Sequence, residues 1–276
     1  MASVPRPRLS NFQARLMSAA VGIPLLVGVV WFGGYLIAAV AVVVVFLALR
    51  ELLALIHRSG WGVFPNEGLA WGAAVVGAGA FGGDIVLLAF GAGAALVLVA
   101  GFVYRRSAIA LGDWSFTAMG VAYVSFPLAA VVLIRSDDVA GIEWLALAFG
   151  ATFATDTGAY AVGRAIGRHK MAPSISPAKT WEGAAGGLLA AVAATIAIIA
   201  IAGDVANAYW HAAALGIGIG VVGQAGDLLE SKLKRLAKVK DSGVLIPGHG
   251  GVLDRLDSLV VVFPLVYYAS KVWPVG

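Results

Sequence analysis

Runs of apolar residues long enough to cross a bilayer constrain this chain more than any other feature. A spanning helix needs about 20 predominantly apolar residues. Nine segments approach that length: 16–33, 35–56, 68–83, 85–104, 115–135, 141–163, 183–203, 207–228 and 253–273. The composition agrees, with 61% of residues hydrophobic and 12% charged, against about 45–50% apolar usage in soluble domains. Mean hydropathy is +0.92. The expected fold is therefore all-α, a polytopic bundle of transmembrane helices whose apolar surface is solvated by lipid. Gly33-Gly34 should make the first two helices a tight hairpin. The first segment reads as a retained helix, because no cleavage site of small residues follows it. Cysteine is absent, which excludes disulfides and thiolate metal sites.

Charge placement orients the bundle. With the N-terminus inside, the inside segments carry Arg6, Arg8 and Arg15; Arg50 and Arg58; Arg105 and Arg106; Arg164, Arg168, Lys170 and Lys179; and Lys232, Lys234, Arg235, Lys238, Lys240 and Arg255. Of the 19 Lys and Arg, only Arg135 and Lys271 fall outside. The outside turns hold acids instead: Asp84, Asp137, Asp138, Glu143 and Asp204. The positive-inside rule selects N-in, C-out with nine spans. The segment 68–83 is the weakest, short and rich in Gly and Ala, but omitting it inverts everything after it. Residues 1–110 form a front half, with scaffolding, dimerisation or lipid entry as its role. Residues 111–276 form a back half with the two longest inside polar segments, 164–182 and 229–252. Chemistry has to sit in those loops and the helix ends beside them.

Acids gather there. Asp227 and Glu230 end the eighth span, and Asp254 and Asp257 open the ninth. A spacing of three places each pair on one helical face. Gly216, Gly220 and Gly223 give the eighth span a small-residue face that lets another backbone approach closely, so the two acidic helix ends can meet. A carboxylate near bilayer depth costs about 2.5–3.5 kcal/mol on insertion scales. Two of them 4 Å apart repel by about 4 kcal/mol at an effective dielectric of 20. A divalent cation relieves that repulsion, and Mg²⁺ takes one or two carboxylates while leaving its other positions to water and phosphate oxygens. Asp227 and Asp254 fit as such ligands. A salt-bridge network with Lys234, Arg235 and Arg255 is the other reading of the same residues.

Cations and glycines share the segment. Lys232 and Lys238 read equally as positive-inside charge or contacts to anionic lipid. Lys234, Arg235 and Arg255 are crowded against acids, as at sites where metal and cations neutralise phosphate together. Pro247-Gly248-His249-Gly250-Gly251 leads into a helix start, where backbone N–H groups favour anions. His249 reads as a phosphate donor, a proton carrier or a structural residue. Upstream, Ser176-Pro177-Ala178-Lys179-Thr180-Trp181-Glu182-Gly183 opens the seventh span. Trp181 also reads as an interface anchor and Glu182 as a helix-dipole cap. Asp156 lies inside the sixth span and should face the bundle interior. Grouped acids, grouped cations and a glycine turn at one membrane face point to metal-assisted chemistry on phosphates, with a lipid phosphate as one substrate.

These residues resemble the signature of the phosphatidate cytidylyltransferases, or CDP-diacylglycerol synthases. The pattern is met by Ser231, Lys234, Arg235, Lys240, Asp241, Ser242-Gly243, Ile246-Pro247, His249-Gly250-Gly251, Asp254, Arg255 and Asp257. "QAGDLLES" at 224–231 is similar to the family as well. So is "SPAKTWEG", apart from Ala178 where Lys is common, which leaves a phosphate role with Lys179. The resemblance is sharp over about 150–260; the front half is similar only in being hydrophobic. It implies that CTP and phosphatidate react to CDP-diacylglycerol and pyrophosphate, by attack of the lipid phosphate on the CTP α-phosphorus. It implies Mg²⁺, with K⁺ as a second ion. Asp227 and Asp254 become metal ligands, with Asp257 as a third. Lys234, Arg235 and Arg255 would hold triphosphate or lipid phosphate. His249, Ser231, Lys179, Lys240, Asp241, Gly250 and Gly251 become further contacts. A homodimer in a bacterial inner membrane, with cytoplasmic catalytic loops, membrane lipids around it and no nucleic acid partner, completes the expectation.

Four other readings compete. An anion transporter predicts polar residues recurring along several spans, whereas charge here gathers at one face. A CDP-alcohol phosphotransferase needs a D-G-x₂-A-R-x₈-G-x₃-D-x₃-D pattern that this sequence lacks. A CTP-dependent enzyme acting on an ether or isoprenoid lipid phosphate would carry much the same loop and differ in its lipid groove. A purely structural membrane protein explains the hydrophobicity and none of the pattern at 231–257.

Overall fold

The computed structural model describes residues 11–105, 109–136, 140–202, 209–246 and 250–273. Arg6, Arg8, Arg106, Asp137, Asp138, Asp204, Pro247, Gly248 and His249 lie outside the described residues. Among those described, the helices are α1 (Asn11–Phe32), α2 (Gly34–Arg58), α3 (Pro65–Ala78), α4 (Gly83–Arg105), α5 (Ile109–Arg135), α6 (Gly141–Ile166), α7 (Trp181–Ala202), α8 (Tyr209–Leu236) and α9 (Leu259–Val272). Each of the nine apolar segments holds one helix. Five of them, α2, α4, α5, α7 and α8, are long and apolar enough to cross a membrane. At 14 residues each, α3 and α9 extend only about 21 Å.

The bundle is an all-α membrane protein with one addition. Between α6 and α7 the chain forms a two-stranded antiparallel hairpin, β1 (Lys170–Ala172) and β2 (Ser176–Thr180), where the sequence suggests only a loop. Its base is fastened by side chains. The Glu182 carboxylate accepts the backbone N–H groups of Arg168 and His169 and faces the His169 ring. The Thr180 hydroxyl accepts the Gly183 N–H at 3.1 Å, satisfying one of the free donors that every helix start leaves.

Two boundaries differ from the expected ones, and both matter to the site. The eighth helix does not end near Asp227 but runs on to Leu236. Residues 229–236 are therefore helical, and Asp227, Ser231 and Lys234 share one face. Conversely, the ninth helix does not open at 253. Leu253–Arg255 form a single 3₁₀ turn, and α9 starts at Leu259. The reason is local competition for hydrogen bonds. Asp254 accepts from Ser242 and Gly251, and Asp257 accepts the Ser258 N–H at 2.7 Å. Those bonds hold the backbone in turns.

Packing is dense where helices meet and apolar where they do not. Val45, Leu49 and Leu53 of α2, Val75 of α3, Val121 of α5, Leu145 of α6 and Phe263 of α9 are buried together. On α4, by contrast, Leu87, Leu88, Leu96 and Val99 are exposed, Leu96 by 71%. A surface of that kind suits lipid and not water. At the end of α1, Gly33 takes φ +57° and joins it to α2 in one residue. Arg135, the last residue of α5, donates to the carbonyls of Val30 and Trp31 at 2.7 and 3.0 Å, satisfying the end of α1. The ends of α1 and α5 thus lie at one end of the bundle. The C-terminal ends of α2 and α8 and the hairpin gather elsewhere, around the site.

The small-residue face of α8 serves two neighbours, where the spacing suggests the ninth segment alone. Gly216 and Gly220 back onto α7, and Gly223 and Gly226 onto the turn leading into α9. A Cβ at Gly226 would lie 2.6 Å from the Asp257 carbonyl oxygen. Gly226→Val should therefore push the Asp257 turn off α8. We expect a lower melting temperature, corresponding to about 1–3 kcal/mol, and loss of any function that needs Asp227 and Asp257 together. Thermal unfolding in detergent measures the first.

Candidate active site

Three lines of chain converge on α8. From β2, the Lys179 ammonium meets Asp227 Oδ2 at 2.6 Å, and the Ser231 hydroxyl donates to Asp227 Oδ1 at 3.3 Å. One turn on, Lys234 Nζ lies 3.0 Å from Glu230 Oε1 and 2.7 Å from Asp254 Oδ1. Glu230 is fully buried and Asp254 is 5% exposed, so this ammonium serves two carboxylates that water barely reaches. Asp254 Oδ2 accepts from the Ser242 N–H (2.8 Å), the Ser242 hydroxyl (2.9 Å) and the Gly251 N–H (2.8 Å). Burial opposes ionisation of Asp254, but Lys234 and the N–H groups of Gly251 and Ser242 outweigh it and hold its carboxyl below the usual range.

Ser242 and residues 250–253 close around two carboxylates. One is Asp254. Gly250 takes φ +85° to pass it, and a Cβ there would lie 2.6 Å from Asp254 Oδ2. The other is Glu51 of α2, which the sequence reading passed over. Its Oε1 accepts the Val252 N–H at 3.1 Å, and its Oε2 accepts the Leu253 N–H and the Ser242 hydroxyl, each at 2.9 Å. The one signal available was position. Glu51 is the only acid in α2, and an acid in an apolar helix is by default functional.

A cavity of about 510 Å³ opens beside these groups. Ile23 and Leu26 of α1, Val44 of α2, Leu128 of α5, Phe149 of α6 and Phe263 of α9 line its body. Asp156, Asp254, Arg255 and Asp257 line it as well, the last three from one short stretch of chain. Burial, and then the charge of Asp227, push the Asp257 carboxyl up to about 6; Asp156 adds to the rise, while the Ser258 N–H and Lys234 pull it down. Asp156 of α6 lines the same cavity as Asp257; it was expected to face the bundle interior, and it is exposed.

Not every candidate joins them. Arg235 turns away, donating to the carbonyls of Ile175 in the hairpin and Val239. Lys240 and Asp241 are exposed at the loop's edge. Among the described residues, no three His, Asp or Glu form a ready metal cage. The donor set nevertheless fits a hard divalent cation, because it is all oxygen and Mg²⁺ needs only one or two carboxylates when phosphate oxygens complete its shell. Lysines stand on Asp227 and Asp254 where counter-charge is required.

Comparison with known sequences identifies the family. The model of the cytidylyltransferase family matches residues 13–273. A phosphatidate cytidylyltransferase of Brucella suis biovar 1 (strain 1330) is 36% identical over 273 residues, covering 96% of this chain and 95% of the relative. One of Staphylococcus saprophyticus is 33% identical over 258 residues, covering 92% and 97%. One of Bacillus subtilis (strain 168) is 38% identical over 176 residues, covering 63% and 65%. A membrane-embedded helical bundle with a carboxylate-lysine site at one face is the class that fold and site define. This chain belongs to the cytidylyltransferase family, and it is an enzyme.

Removing Lys234 should be costly, because it leaves two buried carboxylates without their cation. We expect Lys234→Met to destabilise the protein by about 3–5 kcal/mol, seen as a lowered melting temperature. Lys238→Met, at an exposed position, should leave it unchanged.

Proposed function

We propose that this chain transfers the cytidylyl group of CTP to phosphatidate, forming CDP-diacylglycerol and pyrophosphate. The observation that carries the reading is the mixed lining of the cavity. Most of it is apolar, and Asp156, Asp254, Arg255 and Asp257 supply the charge. A lipid phosphate has the same division: acyl chains suit the apolar walls, and the phosphate meets the charged residues. The names of the relatives support the same substrate.

In this reading an oxygen of the lipid phosphate attacks the α-phosphorus of CTP. The bond to the β-phosphate oxygen breaks, and its electron pair leaves with pyrophosphate. The attacking oxygen is already anionic, so no protein nucleophile or base is required. The protein's part is positioning and charge neutralisation. Arg255, which lines the cavity, holds a phosphate. Lys179 and Lys234 hold the carboxylates in register and offer cations to the triphosphate. Asp227, Asp254 and Asp257 would hold Mg²⁺. When bound, the ion would neutralise phosphate oxygens and polarise the α-phosphorus. K⁺ as a second ion and a homodimer rest on the resemblance alone.

The same reading keeps nine segments in or across the membrane, N-in and C-out, in a bacterial inner membrane with the site on the cytoplasmic side. The contacts of Glu51 with the loop, of Lys179 with Asp227 and of Arg235 with Ile175 support one shared face for the ends of α2 and α8 and the hairpin. Those are the segments where Lys and Arg concentrate.

Purified protein supplied with labelled CTP, phosphatidate and Mg²⁺ should carry label into the organic phase, and EDTA should abolish it. An ether-linked or isoprenoid phosphate accepted in place of phosphatidate would redirect the substrate assignment. Asp227→Asn and Asp254→Asn should each lower turnover by more than about 100-fold, the scale of a lost charge-stabilising group, while the protein still inserts. Near-normal turnover in either variant removes that residue from the metal site.

A further inference from the structure

Glu51 is remote in sequence from every other residue of the site, lying 202 positions before Leu253. It is nonetheless bound to the loop at three points. Its two oxygens accept from Val252, Leu253 and Ser242. Ser242 in turn donates from both its N–H and its hydroxyl to Asp254. The carboxylates of Glu51 and Asp254 are thus joined through one serine, and Val252 and Leu253 lead directly into the turn that carries Asp254 and Arg255.

The glycines of the loop make room for this carboxylate. A Cβ at Gly243 would collide with Glu51 Oε1, and one at Gly251 with Glu51 Oε2 and the Ser242 hydroxyl. Neither glycine takes a positive φ, so backbone conformation does not demand them. What they avoid is the Glu51 side chain. The local chemistry is specific to a carboxylate, since three donors converge on two acceptor oxygens. An amide in its place would turn a donor toward donors.

We propose that Glu51 is a positioning residue for nucleotidyl transfer: from the front half of the chain, it holds Ser242, Val252 and Leu253 where they aim Asp254 and Arg255 into the cavity. The proposal rests on the reading of the site as a cytidylyltransferase centre. Glu51 does not line the cavity and acts through the loop. Its loss should therefore lower kcat and leave substrate affinity nearly intact.

The test is Glu51→Gln in the full-length protein, with two readouts. Turnover of CTP and phosphatidate should show kcat lowered about 10- to 100-fold, the effect of misplacing reacting groups by a fraction of an ångström to 1 Å, with both KM values within about threefold. Hydrogen exchange followed by mass spectrometry should show faster exchange in peptides covering 242–253 and no change in α7. Wild-type kcat, or unchanged exchange in the loop, overturns the proposal. Should Glu51→Gln fail to accumulate, Gly243→Ala carries the test, because its methyl group displaces the carboxylate without removing it. It should lower kcat about tenfold and speed exchange in the same peptides. Wild-type kcat, or unchanged exchange there, overturns the proposal. Wild-type protein that makes no lipid product sinks the functional reading instead, and leaves the exchange comparison to judge Glu51.

Discussion

An ammonium shared between two buried carboxylates sets the terms for the rest of this structure. Lys234 lies between Glu230 and Asp254, at a depth where an isolated charge is expensive. To keep that arrangement, α8 has to continue past Asp227, and the chain after it has to return so that Asp254 arrives beside Lys234. The 3₁₀ turn, the loop and the late start of α9 all follow from that return. So does the small-residue face of α8, since Gly226 lets the backbone at Asp257 approach.

Around this pair the charges form a graded series. Asp254 is held ionised by Lys234 and by loop N–H groups, while Asp257 is pushed the other way by burial and by Asp227. A site with some carboxylates satisfied internally and others in mutual repulsion is structurally stable and electrostatically incomplete. What completes it has to bring positive charge, phosphate-binding capacity, or both. In the proposed function, a lipid phosphate entering the apolar cavity would meet this incomplete part.

Much of this was legible in the sequence. Each of the nine apolar segments contains a helix, because a run of apolar residues near spanning length has few other stable options. Only part of the α8 contact face could be read from its glycines: Gly223 does meet the start of α9, but Gly216 and Gly220 pack on α7, and the backbone at Asp257 approaches Gly226. Helix ends near Asp227 and Asp254 were placed wrongly, because hydropathy cannot distinguish polar residues that continue a helix from polar residues that stop one. Asp254 stops one through bonds to Ser242 and Gly251 that exist only once the loop has folded. Glu51 went unread for a related reason. Beside Arg50 it looks like the polar end of a spanning helix, and its partners are loop N–H groups, which have no sequence identity. The hairpin was hidden likewise, its base being fastened by backbone donors to Glu182.

The bond between Glu51 and Leu253 also bears on the order in which the molecule is made. Glu51 emerges from the ribosome and enters the membrane with α2, and roughly 200 further residues must follow before the N–H groups it will bind exist. Until then the front helices can pack, but the loop has no shape to hold. The site consequently cannot form before the turn at Leu253–Arg255 has been made. A chain cut short of that turn can place its front helices in the bilayer and still lack the site.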